Sequence, residues 1–363
     1  MLNRLKQFFT EHKRSRVAPM ISLHTAGRPV WTPRNYAALA REGFAGNPVG
    51  YRCIRMIAEA AASVPVLVDD REHPLLSRPN AGQHGREFFE MVFGFLLVAG
   101  NAYVEKVAVD GEVRELHALR PDRMKAVASS SGWAEAFEYS VNGRSVRVPR
   151  DSVLHVKLFN PLNDHYGMSP LEAAQRSIDT HNAASAWNKA MLDNSARPSG
   201  ALIYGGPDGH LTTDQFERLK RELETSYQGA SNAGRPMVLD GGLDWKEMGY
   251  SPKEMQFIEA KNAAAREIAL AFGVPPMLLG IPGDNTFANY AEANRSFWRQ
   301  TVVPLAGRMA EAMSGFLELK LVPDLDQVEA LALDREALWA RVEKASFLTR
   351  DEKRAAVGYG ESE

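Results

Sequence analysis

Cysteine is almost missing from this sequence. One, Cys53, stands among 363 residues, so no internal disulfide is available, which fits assembly in a reducing compartment. Long hydrophobic runs are missing too. The most apolar stretch, MVFGFLLVAG at Met91–Gly100, falls well short of the roughly 20 residues that a bilayer span needs. Glu90 directly precedes it, and it reads as a core helix. Strong charge of either sign is also lacking: 43 Lys and Arg against 45 Asp and Glu leave a formal net charge of −2. That excludes a conventional basic nucleic-acid binder. No secretory signal is visible. The start, MLNRLKQFFTEHKRSR, is basic and amphipathic, with Leu2, Leu5, Phe8 and Phe9 set against Arg4, Lys6, Lys13 and Arg14. It reads as a solvated arm that orders against a neighbour, with a membrane-surface helix as the alternative.

Catalytic signatures are lacking as well. There is no G-x-x-x-x-G-K-[ST] phosphate loop, and the glycine-rich YGGPDGH is not followed by lysine and reads as a turn. The nine histidines show no H-E-x-x-H or other ligand spacing, and NDHYG at Asn163–Gly167 reads as a polar loop. No G-x-S-x-G elbow is present. The expectation is no catalytic residues, no metal and no cofactor. Triads are set in space, so an enzyme with an unmarked site stays open as a rival.

What is present is a clear alternation of elements. Asn47 to Ser63 predicts a helix, with Pro48 near its start and Tyr51, Ile54, Ile57, Ala58 and Ala61 on one side. Cys53 on its apolar face reads as a buried thiol. VPVLV follows as a strand and His84 to Ala99 as a core helix. Two hairpins turn at Asp110-Gly111 and Asn142-Gly143, dipeptides that tolerate the positive φ of tight turns. SVLHVKLF adds a strand, so the first 165 or so residues predict antiparallel sheet with packed helices.

The second half is mostly helical. Ser169, Thr212 and Ser251 open helices as capping boxes, SPLE, TTDQ and SPKE, in which a hydroxyl accepts an N–H one turn on and the acid or amide reaches back. The helices at about 169–195 and 252–272 are rich in alanine, which lets helix axes approach closely. Between them lies a small α/β insert: strand GALIYGG, helix 212–227, then strands PMVLD and LDWKEMG. After the second alanine-rich helix, Gly273 and Pro275-Pro276 stop the chain. A loop with a polar tip, Asp284-Asn285, leads into a helix from about Thr286 to Phe316, which Pro304 is expected to kink.

These segments resemble, in order, the portal proteins of tailed phages of the Hong-Kong-ninety-seven-type branch and the portals of gene transfer agents. The likeness rests on NPVGYRCIRMIAEAAASVPV, HPLLSRPN, LLVAGNAYVEKV, YGMSPLEAA, NAGRPMVLDGGLDWKEMG and EIALAFGVPPMLLGIPGDNTFANYAEANRSFWRQTVVP. None is a sharp motif alone; their co-linearity from about Asn47 to Leu317 is the signal. The resemblance implies an α+β portal fold assembled as a twelve-subunit homo-oligomeric ring at one capsid vertex, with double-stranded DNA passing through its channel. It implies a wing at 1–165, including a basic arm at 1–40, a first stem helix at 166–195, a clip at 196–250 and a second stem helix at 251–273. A tunnel-loop region at 274–287, a long kinked wing helix at 288–319 and a crown at 320–363 complete the layout, the crown carrying LDREALWARVEKA and TRDEKRAAV as short helices.

On that resemblance, Leu279, Gly280, Ile281, Pro282, Gly283, Asp284, Asn285 and Thr286 form the tunnel loop. Lys253, Lys261 and Arg266 are candidates for the channel lining, and Tyr204, Arg218, Arg221 and Trp245 for docking at the clip. Arg295 and Arg299 read as anchors of a subunit interface. The implied partners are a terminase large subunit, which would hydrolyse the ATP, a head–tail adaptor and the major capsid protein, with no membrane. The implied location is the virion, after assembly in the host cytoplasm. Another connector or tail ring is the nearer rival. Mixed charge on the second stem helix (Lys253, Glu254, Glu259, Lys261, Arg266, Glu267) suits a conduit, because a strongly basic bore would hold DNA instead of letting it slide.

Overall fold

The structure, a computed structural model, describes residues 29–69, 71–130, 132–193, 200–204, 212–227, 243–247, 257–282 and 287–359. Met1–Trp31 is one unit, of which 29–31 are described and lie outside any helix or strand, and Thr32–Glu363 is a second, compact one. In the second, a short helix α1 (Tyr36–Leu39) runs into a π-helical turn (Ala40–Ala45) and then α2 (Pro48–Ser63). Strands β1 (Val66–Val68) and β2 (Arg71–Glu72), helix α3 (Pro74–Ser77) and helix α4 (Gly85–Ala99) follow. The amphipathic spacing does what it predicts: Cys53, Ile54, Ile57, Ala58 and Ala61 of α2 are buried, packed against Phe88, Val92 and Leu96 in one core. Tyr51 is the exception. It is exposed, its ring 5.0 Å from that of Phe44. Burial pushes the Cys53 thiol up to about 12, which leaves it unreactive.

The region expected to hold antiparallel sheet holds three small sheets. The two hairpins are β3 (Asn101–Val109) with β4 (Glu112–Leu119), and β6 (Ala134–Val141) with β7 (Arg144–Pro149). Asp110 and Asn142 adopt φ of 53° and 50°, and Gly111 and Gly143 follow at 84° and 77°, as type I′ turns require. β8 (Val153–Lys157) pairs with β3, and β5 (Met124–Ala128) with β6. The third sheet is long-range: β11 (Leu321–Pro323), from the C-terminal part of the chain, pairs antiparallel with β1, Val66 facing Pro323.

Helix α5 (Pro170–Asp193) and helix α7 (Phe257–Phe272) pack along each other. Between them in sequence come β9 (Gly200–Tyr204), α6 (Thr213–Tyr227) and β10 (Leu243–Glu247), with β9 and β10 paired antiparallel. PMVLD lies outside the described residues. The long helix is α8 (Phe287–Phe297), a π-helical turn (Trp298–Val302) and α9 (Val303–Leu317). The π-turn sits just ahead of Pro304, whose ring nitrogen has no hydrogen for the ordinary helical bond, and widening the preceding turn accommodates it. Helices α10 (Ala332–Lys344) and α11 (Arg350–Ala356) end the described chain, α11 opening with a reciprocal capping box between Thr349 and Glu352.

Candidate channel and tunnel-loop site

The first long helix is fixed at its base. Ser169 does not form the reciprocal box that SPLE predicts. Being buried, it donates its hydroxyl hydrogen to Leu97 O at 2.8 Å and accepts from Leu171 N at 3.0 Å. The hydroxyl thereby ties α5 to α4 as well as capping it. Gly167, just ahead, donates to Asn101 Oδ1 at 2.7 Å, and the same oxygen accepts from His155 Nε2 at 2.9 Å. His155 stacks on Tyr103, ring centroids 4.3 Å apart. Burial first, then the cations of Lys157 and Arg150, lower its pKa from 6.5 to about 4.

Further along, Asp179 accepts from Thr32 N at 2.9 Å and Thr32 Oγ1 at 2.5 Å. Gln175 accepts from Arg34 Nε at 3.1 Å. Asn47, 1% exposed, caps α2 through Oδ1 (Val49 N 3.1 Å, Gly50 N 2.9 Å). Its amide donates to Asn182 Oδ1 at 2.8 Å and faces His181 Nδ1 at 3.2 Å. Burial, then the nearby Lys261 charge, depress the His181 pKa, and the Asn182 bond works the other way. A neutral ring is what lets Nδ1 accept from Asn47.

Helices α5 and α7 close on each other through small and apolar side chains. Ala174, Ile178 and Ala184 are buried on one, Ala264, Ala265, Ile268 and Ala269 on the other. Trp187 stacks on Phe257 at 4.2 Å, and Ser177 Oγ donates to Glu267 at 2.5 Å. Ala173, Ala183 and Ala263 are exposed, and Ala271 packs against the core. Of the channel candidates, Arg266 is exposed and donates to Pro282 O. Lys261 is half-buried, close enough to His181 to shift it. Lys253 and the Ser251 cap lie outside the described residues.

The end of α7 is a built turn. Gly273 takes a left-handed φ of 67°, and its carbonyl accepts from Thr301 Oγ1 at 2.6 Å. Val274 is fully buried and donates to Ala269 O at 2.9 Å. One 3₁₀ turn, Pro276–Leu279, ends at Gly280, φ 70°. Ile281 then folds back into an apolar cluster with Ala265 and Ala269, with Leu279 packed against it. Within the expected tunnel loop, Leu279 and Ile281 are therefore held in the protein, Gly280 and Pro282 are exposed, and Gly283, Asp284, Asn285 and Thr286 lie outside the described residues.

At the insert, Thr212 forms its box: Gln215 N donates to Thr212 Oγ1 at 3.3 Å and Gln215 Oε1 accepts from Thr212 N at 2.9 Å. Arg218 and Arg221 are exposed on α6, Arg221 Nε donating to Glu217 O at 3.3 Å. Tyr204 and Trp245 sit on the paired strands, opposite Leu243 and Leu202. Arg295 and Arg299 find a partner within the chain: both approach Asp334 on α10, at 3.7 and 3.9 Å. Nothing in the sequence around Asp334 marks it for this. Among the described residues there is no group of three or more His, Cys, Asp or Glu placed to hold a metal, and no helix is long and apolar enough to cross a membrane.

This arrangement, two long helices bridged by an α/β insert and followed by a turn bonded to a helix that carries a π-helical turn, defines an α+β subunit. Residues 48–358 match the profile of the phage portal protein family, and the chain belongs to that family. A chain solved in the neck of a native gene transfer agent particle, computed with C12 symmetry, is 54% identical, with 93% of this chain and 96% of that one covered at a TM-score of 0.71. An uncharacterized protein of Rickettsia bellii is 41% identical over 87% of this chain and 88% of its own. The probable portal protein of Streptomyces phage phiC31 is 26% identical over 84% and 73%.

Proposed function

We propose that twelve copies of this chain form the portal ring at one vertex of a capsid, through which double-stranded DNA is packaged and ejected. The observation that carries this is the 54% identity, over 93% of the chain, to a protein of a twelvefold neck. Paired α5 and α7 form the stem, residues 196–250 the clip, residues 1–165 with 288–319 the wing, and 320–363 the crown. The clip, with Tyr204, Arg218, Arg221 and Trp245, docks the terminase during packaging and the head–tail adaptor afterwards. The wing meets the major capsid protein.

On this reading the loop presents a polar tip to the channel. Gly273, the 3₁₀ turn and buried Ile281 fix its base, and Arg266 holds Pro282 by its carbonyl. Asp284 and Asn285 then stand at the channel, where a polar, non-cationic tip touches duplex without neutralising phosphates. The portal is a passive conduit and platform, and the energy of translocation comes from the terminase. Electron microscopy of the purified chain tests the reading. Closed rings with α7 and residues 279–286 at the central hole are expected. A chain that stays monomeric at high concentration, and also beside its capsid protein, overturns it.

A further inference from the structure

Two features of the wing are unexplained by the channel. The first is the loop after β8. Phe159 and Leu162 are 82% and 86% exposed there, yet the loop is thoroughly braced. Leu158 N donates to Gly100 O at 2.8 Å. Asn160 Oδ1 accepts from Leu162 N at 2.9 Å, and Asn163 Oδ1 from His165 N and Tyr166 N at 2.9 and 3.0 Å. Lys157 donates to Asp164 O, and Tyr166 OH accepts from Ala126 N at 2.9 Å. Single exposed apolar side chains are ordinary on a protein surface. Two large ones, three residues apart on a rigidly tied loop, make a preorganised contact that loses little entropy on binding.

The second feature is an open apolar groove of about 310 Å³, walled by Val64, Phe89, Phe93, Met309 and Met313. Its rim carries Glu72, Ser77 and Arg86, all exposed. Two methionines give it walls that adapt to an inserted side chain.

The groove and the loop are attached to different stretches of one helix. Gly85, Arg86, Phe89 and Phe93 of α4 line the groove, whereas the loop is bonded to Gly100, the residue capping the C-terminal end of α4. Along the helix axis Phe93 stands about 10 Å from Gly100 and Gly85 about 22 Å. Two unlike patches at separate places on a subunit are what a head-to-tail contact requires, and such contacts close into rings when the rotation allows.

We propose that Phe159 and Leu162 of one copy seat in the apolar groove at the start of α4 in the neighbouring copy. This contact rests on the ring reading and gives the wing its own subunit-to-subunit lock, separate from the stem. The seated side chains are apolar, so the contact draws on burial of apolar surface instead of charge.

The test uses the full-length chain with Pro161→Cys and Ser77→Cys together, both positions exposed, joined by a short bis-maleimide. The native Cys53 is buried and its thiol pushed up to about 12, so it stays silent. A head-to-tail contact yields a ladder of covalent multimers on a denaturing gel, whereas each single variant stops at the dimer. In parallel, Phe159→Ser/Leu162→Ser should raise the concentration at which rings form by about tenfold or more, since two large apolar groups lose their burial. Rings by microscopy, with no ladder and no change in the double-serine variant, overturn this contact and leave the ring standing. Absence of rings in the unmodified chain overturns the ring itself, and the contact with it.

Discussion

Gly167 meets the backbone so closely that no side chain fits. A Cβ there would lie 2.0 Å from Gly100 O and 2.7 Å from Leu158 N. These are backbone atoms at the junction of α4, β8 and α5, and none can swing away. Gly167→Ala is expected to cost about 3 kcal/mol, the upper range for overpacking, read as a lowered urea midpoint with unchanged slope. His155 lies in the same junction, and its folded pKa of about 4 sits below the ordinary 6.5. The unfolded chain therefore binds more protons between those values, so stability is full above about pH 6.5 and falls as pH drops toward 4. Urea titrations from pH 7 to pH 4 check this. His155→Gln, which keeps an N–H for Asn101, should flatten that part of the profile.

Asn47 shows how one side chain serves two elements at once. It caps α2, donates into α5 through Asn182, and faces His181, while Asn182 in turn donates to Glu42 O at 3.0 Å in the π-turn. Asn47→Ala removes a cap worth about 1 kcal/mol and leaves buried partners unpaired at about 1–3 kcal/mol. The total of about 3 kcal/mol is measurable by chemical denaturation, and amide exchange should quicken at the start of α2. The helix start was legible in the sequence as Pro48 ahead of an apolar stripe, whereas the Asn47 cap and its bond to α5 were not. The same line separates the other elements. Asp110-Gly111 and Asn142-Gly143 fixed two hairpins because turn chemistry is local. The pairing of β11 with β1 has no local signature, since three residues of sequence cannot name a partner more than two hundred positions away. Ser169 was read correctly as a helix start, but its hydroxyl serves Leu97 because packing of α4 made that oxygen available. Gly273 and the double proline announced the loop. That Leu279 and Ile281 belong to its base follows from burial against α7, which no spacing rule contains.

At the scale of the whole molecule, charge decides what a ring of these chains does to DNA. Each phosphate neutralised by a cation strengthens binding and steepens its dependence on salt, the slope being about −0.9 per contact. Rotational symmetry multiplies any one side chain at the bore by the number of copies. On the proposed reading, a net charge of −2 on each chain leaves the ring without the overall positive charge that would clamp a polyanion. The first cation of α7 after Lys261, Arg266, is engaged with Pro282 O at the base of the loop. Asn285→Lys places one new cation per copy at the proposed tip. The assembled variant is expected to retain linear duplex at about 50 mM salt and release it by about 200 mM, the range over which several phosphate contacts lose about a thousandfold in affinity. The unmodified ring should show only weak, shallow salt dependence. Packaging by the variant should slow even though rings form normally, because retention opposes sliding. If Asn285→Lys rings bind duplex no more tightly than unmodified rings at low salt, residue 285 does not face the DNA, and the loop after α7 is not the part of the portal that touches its cargo.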